Sequence, residues 1–150
     1  MPTVVKASYS RGAGAADKGH VRYAVHRSDE QGQRQYRQVW GPEGARTKDD
    51  AYALLDAADS RSYVYRITLS PDPHDQDVGH RLDLRAWTDD VMRQMGSAQW
   101  VAVSHEQADH RHVHVVAVSP RRLDVADFRA MRAAGDEHAR ANQRELTRDR

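Results

Sequence analysis

The stretch Val103 to Pro120, VSHEQADHRHVHVVAVSP, decides how the rest of the chain is read. Its second half, HVHVVAVS (His112 to Ser119), is a short β-rich run bounded by a polar loop and a proline, which predicts a strand. Successive strand side chains point to opposite faces, so His112 and His114 project side by side while Val113, Val115 and Ala117 face the other way. QWVAVS (Gln99 to Ser104) predicts a preceding strand, with EQADHR as the connecting loop. His105 ends that first strand. If the two strands form a hairpin, His105 stands beside the other two histidines, and three convergent imidazoles make a facial metal site with positions left open for water or substrate oxygen. An H-x-H pair alone is ordinary on an exposed strand face; the third histidine is what points to a metal. His110 remains an alternative ligand or a plain loop residue.

Outward from this stretch the chain alternates strands and helices. SYVYRITLS (Ser62 to Ser70) predicts a strand and VVKASY (Val4 to Tyr9) a shorter one; Arg34 to Trp40 is a further candidate. Asp83 to Met95 places Leu84, Trp87, Val91, Met92 and Met95 on one helical face. Thr47 opens another helix, because TKDD resembles a capping box and Tyr52, Leu55 and Ala58 follow at helical spacing. Gly19 to Arg27 is a candidate short helix, the small-residue run Arg11 to Gly19 a loop or loose helix start, SDEQGQ a turn and PDPHDQDVGHR a loop. Helix returns from Asp124 to about Leu146. The sum is an α+β fold, a central antiparallel sheet with flanking helices in two sandwich-like layers. One domain over residues 1–150 is expected, its core at about 1–120 and a helical segment at about 124–147.

Composition narrows the function. There is no cysteine among 150 residues, which excludes a disulfide framework, a Cys-rich zinc module and a thiol nucleophile. A mean hydropathy of −0.89 goes with the lack of any run near the ~20 apolar residues that a membrane helix needs. MPTVVKASYSRGAG lacks the apolar stretch of a signal peptide, so a soluble, cytoplasmic protein with no membrane partner is expected. Net charge is only +1, yet it is unevenly spread: +4 over residues 1–40, −4 over 41–100 and +1 over the remainder. Twenty of the 23 cations are arginine, which suits bidentate phosphate contacts without naming a partner.

A metal with open positions needs a reaction. No nucleophile elbow, phosphate-binding glycine loop or H-E-x-x-H is present. The acidic pairs Asp49/Asp50 and Asp89/Asp90 read as solvated helix faces. Six tyrosines are candidate nucleophiles. Tyr63 and Tyr65 are expected to pack in a core strand; Tyr52 lies on a helix face, Tyr36 in a possible strand, and Tyr9 ends the first strand. Tyr23 sits among His20, Arg22, His26 and Arg27, and on a helix His20 and Arg27 would flank it at i−3 and i+4. A phenol among cations ionises more easily. His20, His26, His74, His80 and His138 are otherwise read as scattered and solvated.

The run VSHEQADHRHVHVVAVSP resembles the metal-binding motif of the HUH endonuclease superfamily, and specifically of its conjugative relaxases, the plasmid mobilization nucleases. The superfamily's two histidines around one hydrophobic residue match His112, Val113 and His114, and the relaxases' earlier histidine, seven positions before the pair, matches His105. GHVRYAVHRSDEQG (Gly19 to Gly32) resembles their first motif, which ends in the DNA-cutting tyrosine, and Tyr23 falls at that place. YRITLSP, LDLRAWTDDVMRQMG and QWVAVSHEQADHRHVHVV follow in the order and spacing of the type related to the T-DNA border endonuclease, and the helix after RRLDVADF also fits. Gln107 departs from the acidic residue that many members carry two positions after the first histidine; Glu106 or Asp109 is the candidate substitute.

The resemblance implies metal-dependent nicking and rejoining of single-stranded DNA at a transfer origin. His105, His112 and His114 would hold a divalent cation, Mg²⁺ or Mn²⁺ by availability, with Zn²⁺ or Ni²⁺ also suited to imidazole. Tyr23 would attack the phosphorus to give a 5′-phosphotyrosyl link, and Arg22, Arg27 and Arg111 would contact phosphates. Accessory mobilization proteins and a type IV coupling protein are the implied protein partners. A rolling-circle replication initiator shares this chemistry but usually places its tyrosine after the histidine pair, and no tyrosine follows Tyr65. The remaining alternatives are a non-catalytic DNA-binding accessory protein on the same fold and a metal-dependent hydrolase unrelated to DNA.

Overall fold

HVHVVAVS becomes the strand on which everything else is hung. In the computed structural model, which describes residues 3–12, 14–26, 37–71, 82–105 and 111–148, it pairs on both sides and lies inside a six-stranded sheet. The strands are β1 (Val4–Arg11), β2 (Val39–Gly41), β3 (Gly44–Ala45), β4 (Tyr63–Ser70), β5 (Gln99–His105) and β6 (His112–Ser119). Their spatial order is β1-β4-β6-β5-β2-β3, with every neighbouring pair antiparallel. Four helices accompany the sheet among the described residues: α1 (Ala15–His26), α2 (Lys48–Ala57), α3 (Leu84–Arg93) and α4 (Val125–Arg148).

The layers number three, not the two expected. Val113, Val115 and Ala117 join Tyr65, Ile67, Leu69, Trp100 and Ala102 in a core closed by Trp87, Val91 and Met92 of α3 and Met131 of α4. Val116 faces the other way and joins Val64 and Val101 under Val21 of α1 and Ala51 and Leu55 of α2. Both alternations of β4 and β6 are apolar where helices cover them. The near-continuous hydrophobic run in β6 therefore has a physical reason, because burying only one face would leave Val116 and Val118 in water. The sheet is antiparallel and helix-flanked as predicted.

Trp87 fills the α3–α4 seam, fully buried, and its indole N–H donates to the Gly135 carbonyl at 3.2 Å. Trp87→Ala is expected to lower unfolding free energy by about 3–5 kcal/mol, read from urea denaturation, since it opens a cavity as well as removing the transfer free energy.

Local differences have local causes. α1 begins at Ala15, within the run read as a loop or loose helix start, and Asp17 in its first turn accepts the Gly14 N–H at 2.7 Å. Gly12, at φ +71, makes the turn out of β1 that this start requires. The expected strand Arg34 to Trp40 is observed as Val39–Gly41; residues 34–36 lie outside the described residues, as do the turn SDEQGQ and residues 72–81 of the predicted loop. β3 was not expected: Gly44, at φ +123, folds the chain back so that Gly41 pairs with Gly44. The capping box at Thr47 is present, with Asp50 N–H donating to Thr47 Oγ1 and Thr47 N–H to the Asp50 carboxylate. Among the described residues no helix is long and apolar enough to cross a membrane.

Candidate metal centre

β5 and β6 are adjacent, and their register pairs His105 directly with His112 and Val103 with His114. All three imidazoles consequently stand on one face of the sheet. Ring centroids are 4.7 Å apart for His105 and His112, 4.6 Å for His105 and His114, and 5.0 Å for His112 and His114. One ring nitrogen from each lies within 4.8 Å of the other two. His105 is buried, at 5% exposure, while His112 and His114 are half-buried, so the cluster has a closed floor and an open side.

Helix α1 sets the orientation of this cluster. Its last-turn carbonyls have no intrahelical acceptor role to fill, and such orphan groups need donors from elsewhere. The Ala24 carbonyl receives the His105 Nε2–H at 2.7 Å and the Arg37 guanidinium at 2.5 Å. A carbonyl only accepts, so His105 carries a proton on Nε2 in this contact. On the other flank, the Thr68 hydroxyl lies 3.4 Å from His114 Nδ1. Backbone carbonyls and hydroxyls on the far ring nitrogens are the partners that hold metal-ligating histidines in place. Three nitrogen donors, converging from two paired strands with one tautomer set by the fold, fit a divalent cation in a facial arrangement.

A fourth histidine stands against the cluster. The His20 ring lies 5.2 Å from the His114 ring, edge-on, and its Nε2 is buried without a hydrogen-bond partner among the described residues. Burial first, then the nearby Arg66 charge, push its pKa below the ordinary value against a smaller upward pull from Asp17. The expectation of a solvated His20 is thus corrected. His138 is corrected too, since its Nδ1 pairs with the Asp90 carboxylate at 2.5 Å and ties α4 to α3. His74 and His80 lie outside the described residues, as does the side chain of His26.

Tyr23 lies in α1 between His20 and Ala24, two described residues through which that helix meets the cluster. Its own side chain lies outside the described residues. The other tyrosines separate by face. Tyr9, Tyr63 and Tyr65 belong to the opposite side of the sheet, where Tyr65 is buried and its hydroxyl accepts the Leu123 N–H at 2.8 Å. Tyr63 accepts from Arg11 at 3.2 Å. Both pack as the sequence predicted. Tyr52 packs with α2 against the core on the histidine side, and Tyr36 lies outside the described residues.

Of the arginines assigned to phosphate, Arg22 is exposed on α1. Arg111 is half-buried and donates to the Leu82 carbonyl at 2.8 Å, so at least part of its guanidinium serves the fold. Arg27, His110 and the loop residues Glu106, Gln107 and Asp109 lie outside the described residues.

A family model described as "Relaxase: MobA/VirD2-like, nuclease domain" matches residues 19–149. No curated protein matches the chain.

Proposed function

This chain belongs to the MobA/VirD2-like relaxase nuclease-domain family, and from that premise we propose that it nicks and rejoins single-stranded DNA at a transfer origin through Tyr23. It is an enzyme of the nuclease and transesterase class, and the family and the histidine cluster supply that much. The observation that carries the finer reading is the meeting of α1 with the three-histidine face: His20 and Ala24, three residues before and one after Tyr23, both reach it.

His105, His112 and His114 would hold the divalent cation, with the Ala24 carbonyl orienting the His105 ring. When bound, such a cation supplies Lewis-acid polarisation of the scissile phosphate and neutralises charge that builds up in the transition state. Mg²⁺ and Mn²⁺ are the working candidates by availability, while Zn²⁺ or Ni²⁺ suit the imidazole set. The Tyr23 oxygen attacks phosphorus, losing its proton as the Tyr–O–P bond forms. The bond from phosphorus to the 3′ oxygen breaks, and that oxygen takes up a proton to leave a free 3′-hydroxyl. The 5′ end stays on Tyr23 as a phosphotyrosyl ester. Attack by a 3′-hydroxyl reverses the sequence and rejoins the strand, so bond energy is conserved throughout. Exposed Arg22 offers a phosphate contact beside the nucleophile, with Arg27 and Arg111 as further members of the set.

Residues 1–150 serve in this reading as one nuclease unit. It acts in the cytoplasm on a transfer-origin strand, alongside accessory mobilization proteins and a type IV coupling protein. Incubating the chain with Mn²⁺ and a pool of random single-stranded oligonucleotides, followed by a denaturing gel and peptide mass spectrometry, tests it. A DNA-bearing peptide containing Tyr23 is expected, and the captured sequences would reveal the preferred site. DNA binding without any adduct would replace this reading by that of a non-catalytic accessory protein on the same fold.

A further inference from the structure

The histidine face of the sheet changes character toward its β1 edge. Over Val64, Val101 and Val116 it is apolar and covered by α1 and α2. Beyond them it is polar: β4 presents Arg66 and Thr68, and β1, an edge strand, presents Lys6 and Ser8. Lys6 and Ser8 are exposed, and Arg66 and Thr68 are half-buried.

The register aligns these residues with the metal centre. His114 pairs with Thr68, and Thr68 pairs with Lys6, so the three form one row across the sheet. Val116, Arg66 and Ser8 form the next row on the same face. With neighbouring strands about 4.8 Å apart, the Lys6 backbone lies about 10 Å from that of His114. An extended lysine side chain covers much of that span.

Arg66 is held in place by α1 and β1. Its Nη1 donates to the Asp17 carboxylate at 3.1 Å and its Nε to Ser8 Oγ at 3.1 Å. Asp17 is 1% exposed, so this carboxylate does not face solvent. Nη2 of Arg66 and the ammonium of Lys6 have no hydrogen-bond or ion-pair partner among the described residues. No exposed carboxylate belongs to either row. Lysine on an edge strand commonly serves only to block strand-to-strand association. That purpose explains neither the fixed Arg66 fork nor the hydroxyls aligned with it.

We propose that Lys6, Ser8, Arg66 and Thr68 form a phosphate-binding strip that carries the backbone of the DNA strand from the histidine centre out over the β1 edge. The proposal rests on the relaxase reading and adds the course of the strand. Cations and hydroxyls with no solvent-exposed carboxylate in their rows are suited to bind phosphodiester oxygens, and such contacts position a strand without reading its sequence. A guanidinium already fixed by Asp17 and Ser8 loses little freedom on binding.

Fluorescence anisotropy of a labelled mixed-sequence single-stranded oligonucleotide, in EDTA and over a salt series, tests the strip apart from the metal chemistry. Lys6→Ala is expected to weaken binding several-fold and to reduce the slope of log K against log salt by about 0.7, the value for one lost phosphate contact on a single strand. Lys6→Glu should weaken it further and Lys6→Arg restore it. Arg66→Gln should act in the same direction. Because it leaves Asp17 buried and unpaired, its melting is measured in parallel, and the exposed Lys6 decides the matter if that variant unfolds. Lys6 variants with unchanged affinity and slope, in a chain that still captures DNA through Tyr23, would overturn the strip and leave the relaxase reading intact. A parent chain that binds no single strand would overturn both.

Discussion

His114→Ala is expected to lower Mn²⁺ affinity by more than about 100-fold in titration calorimetry, and His112→Ala to do the same. Loss of a group that merely supports a metal ligand typically costs 10–100-fold, so loss of a ligand itself should exceed it. These two positions are the better probes. Each is half-buried on β6, a strand paired along both edges, and an alanine there leaves the sheet intact. His105→Ala would confound two effects, because His105 also supplies the donor that the Ala24 carbonyl uses to hold α1 against the sheet. Circular dichroism separates lost metal binding from lost folding. Unchanged affinity in both β6 variants would remove the ligand assignment, whatever the fold.

Tyr23→Phe is expected to abolish covalent capture of DNA altogether while metal and single-strand affinity stay at their parent values. Phenylalanine keeps the ring and removes only the oxygen proposed to form the phosphotyrosyl ester, so a surviving adduct must reside on another side chain. The faces of the sheet say where to look. Tyr9, Tyr63 and Tyr65 are on the far side from the histidines, and burial pushes the Tyr65 phenol above its ordinary pKa, against nucleophilic use. Tyr52, on α2 at the histidine side, is the described alternative, and peptide mapping of the adduct distinguishes the two. An adduct on Tyr52 would keep the enzyme class and discard the assigned nucleophile.

Much of the metal centre was legible in one dimension because strands have a period of two. His112 and His114 had to share a face, and a short polar connection made it natural for the preceding strand to bring His105 alongside. α3 was equally readable, since Leu84, Trp87, Val91 and Met92 repeat at helical spacing and are the apolar residues it buries, with Thr88 beside them. His20 was not. Ninety-four positions separate it from His114, and nothing in the identity of a lone histidine on a weakly amphipathic helix says which face of the sheet that helix will cover. The available signal was its place three residues before Tyr23 inside the same motif. The Ala24 carbonyl was still less accessible, because a backbone acceptor has no letter of its own in the sequence.

The strand alternation, the helix periodicities, the Thr47 cap and the H-x-H pair are local patterns, set by neighbours within a few residues, and the sequence by itself determined them and the family they belong to. Local pattern could not choose between two layers and three. Where both alternations of a strand are apolar, only the docking of α1 and α2 onto Val64, Val101 and Val116 shows that each face is buried. The same docking decided the His105 tautomer, the burial of His20 and the position of the helix that bears Tyr23. Contacts of this kind join residues far apart in the chain, and their energy comes from burying surface that no single segment can bury alone.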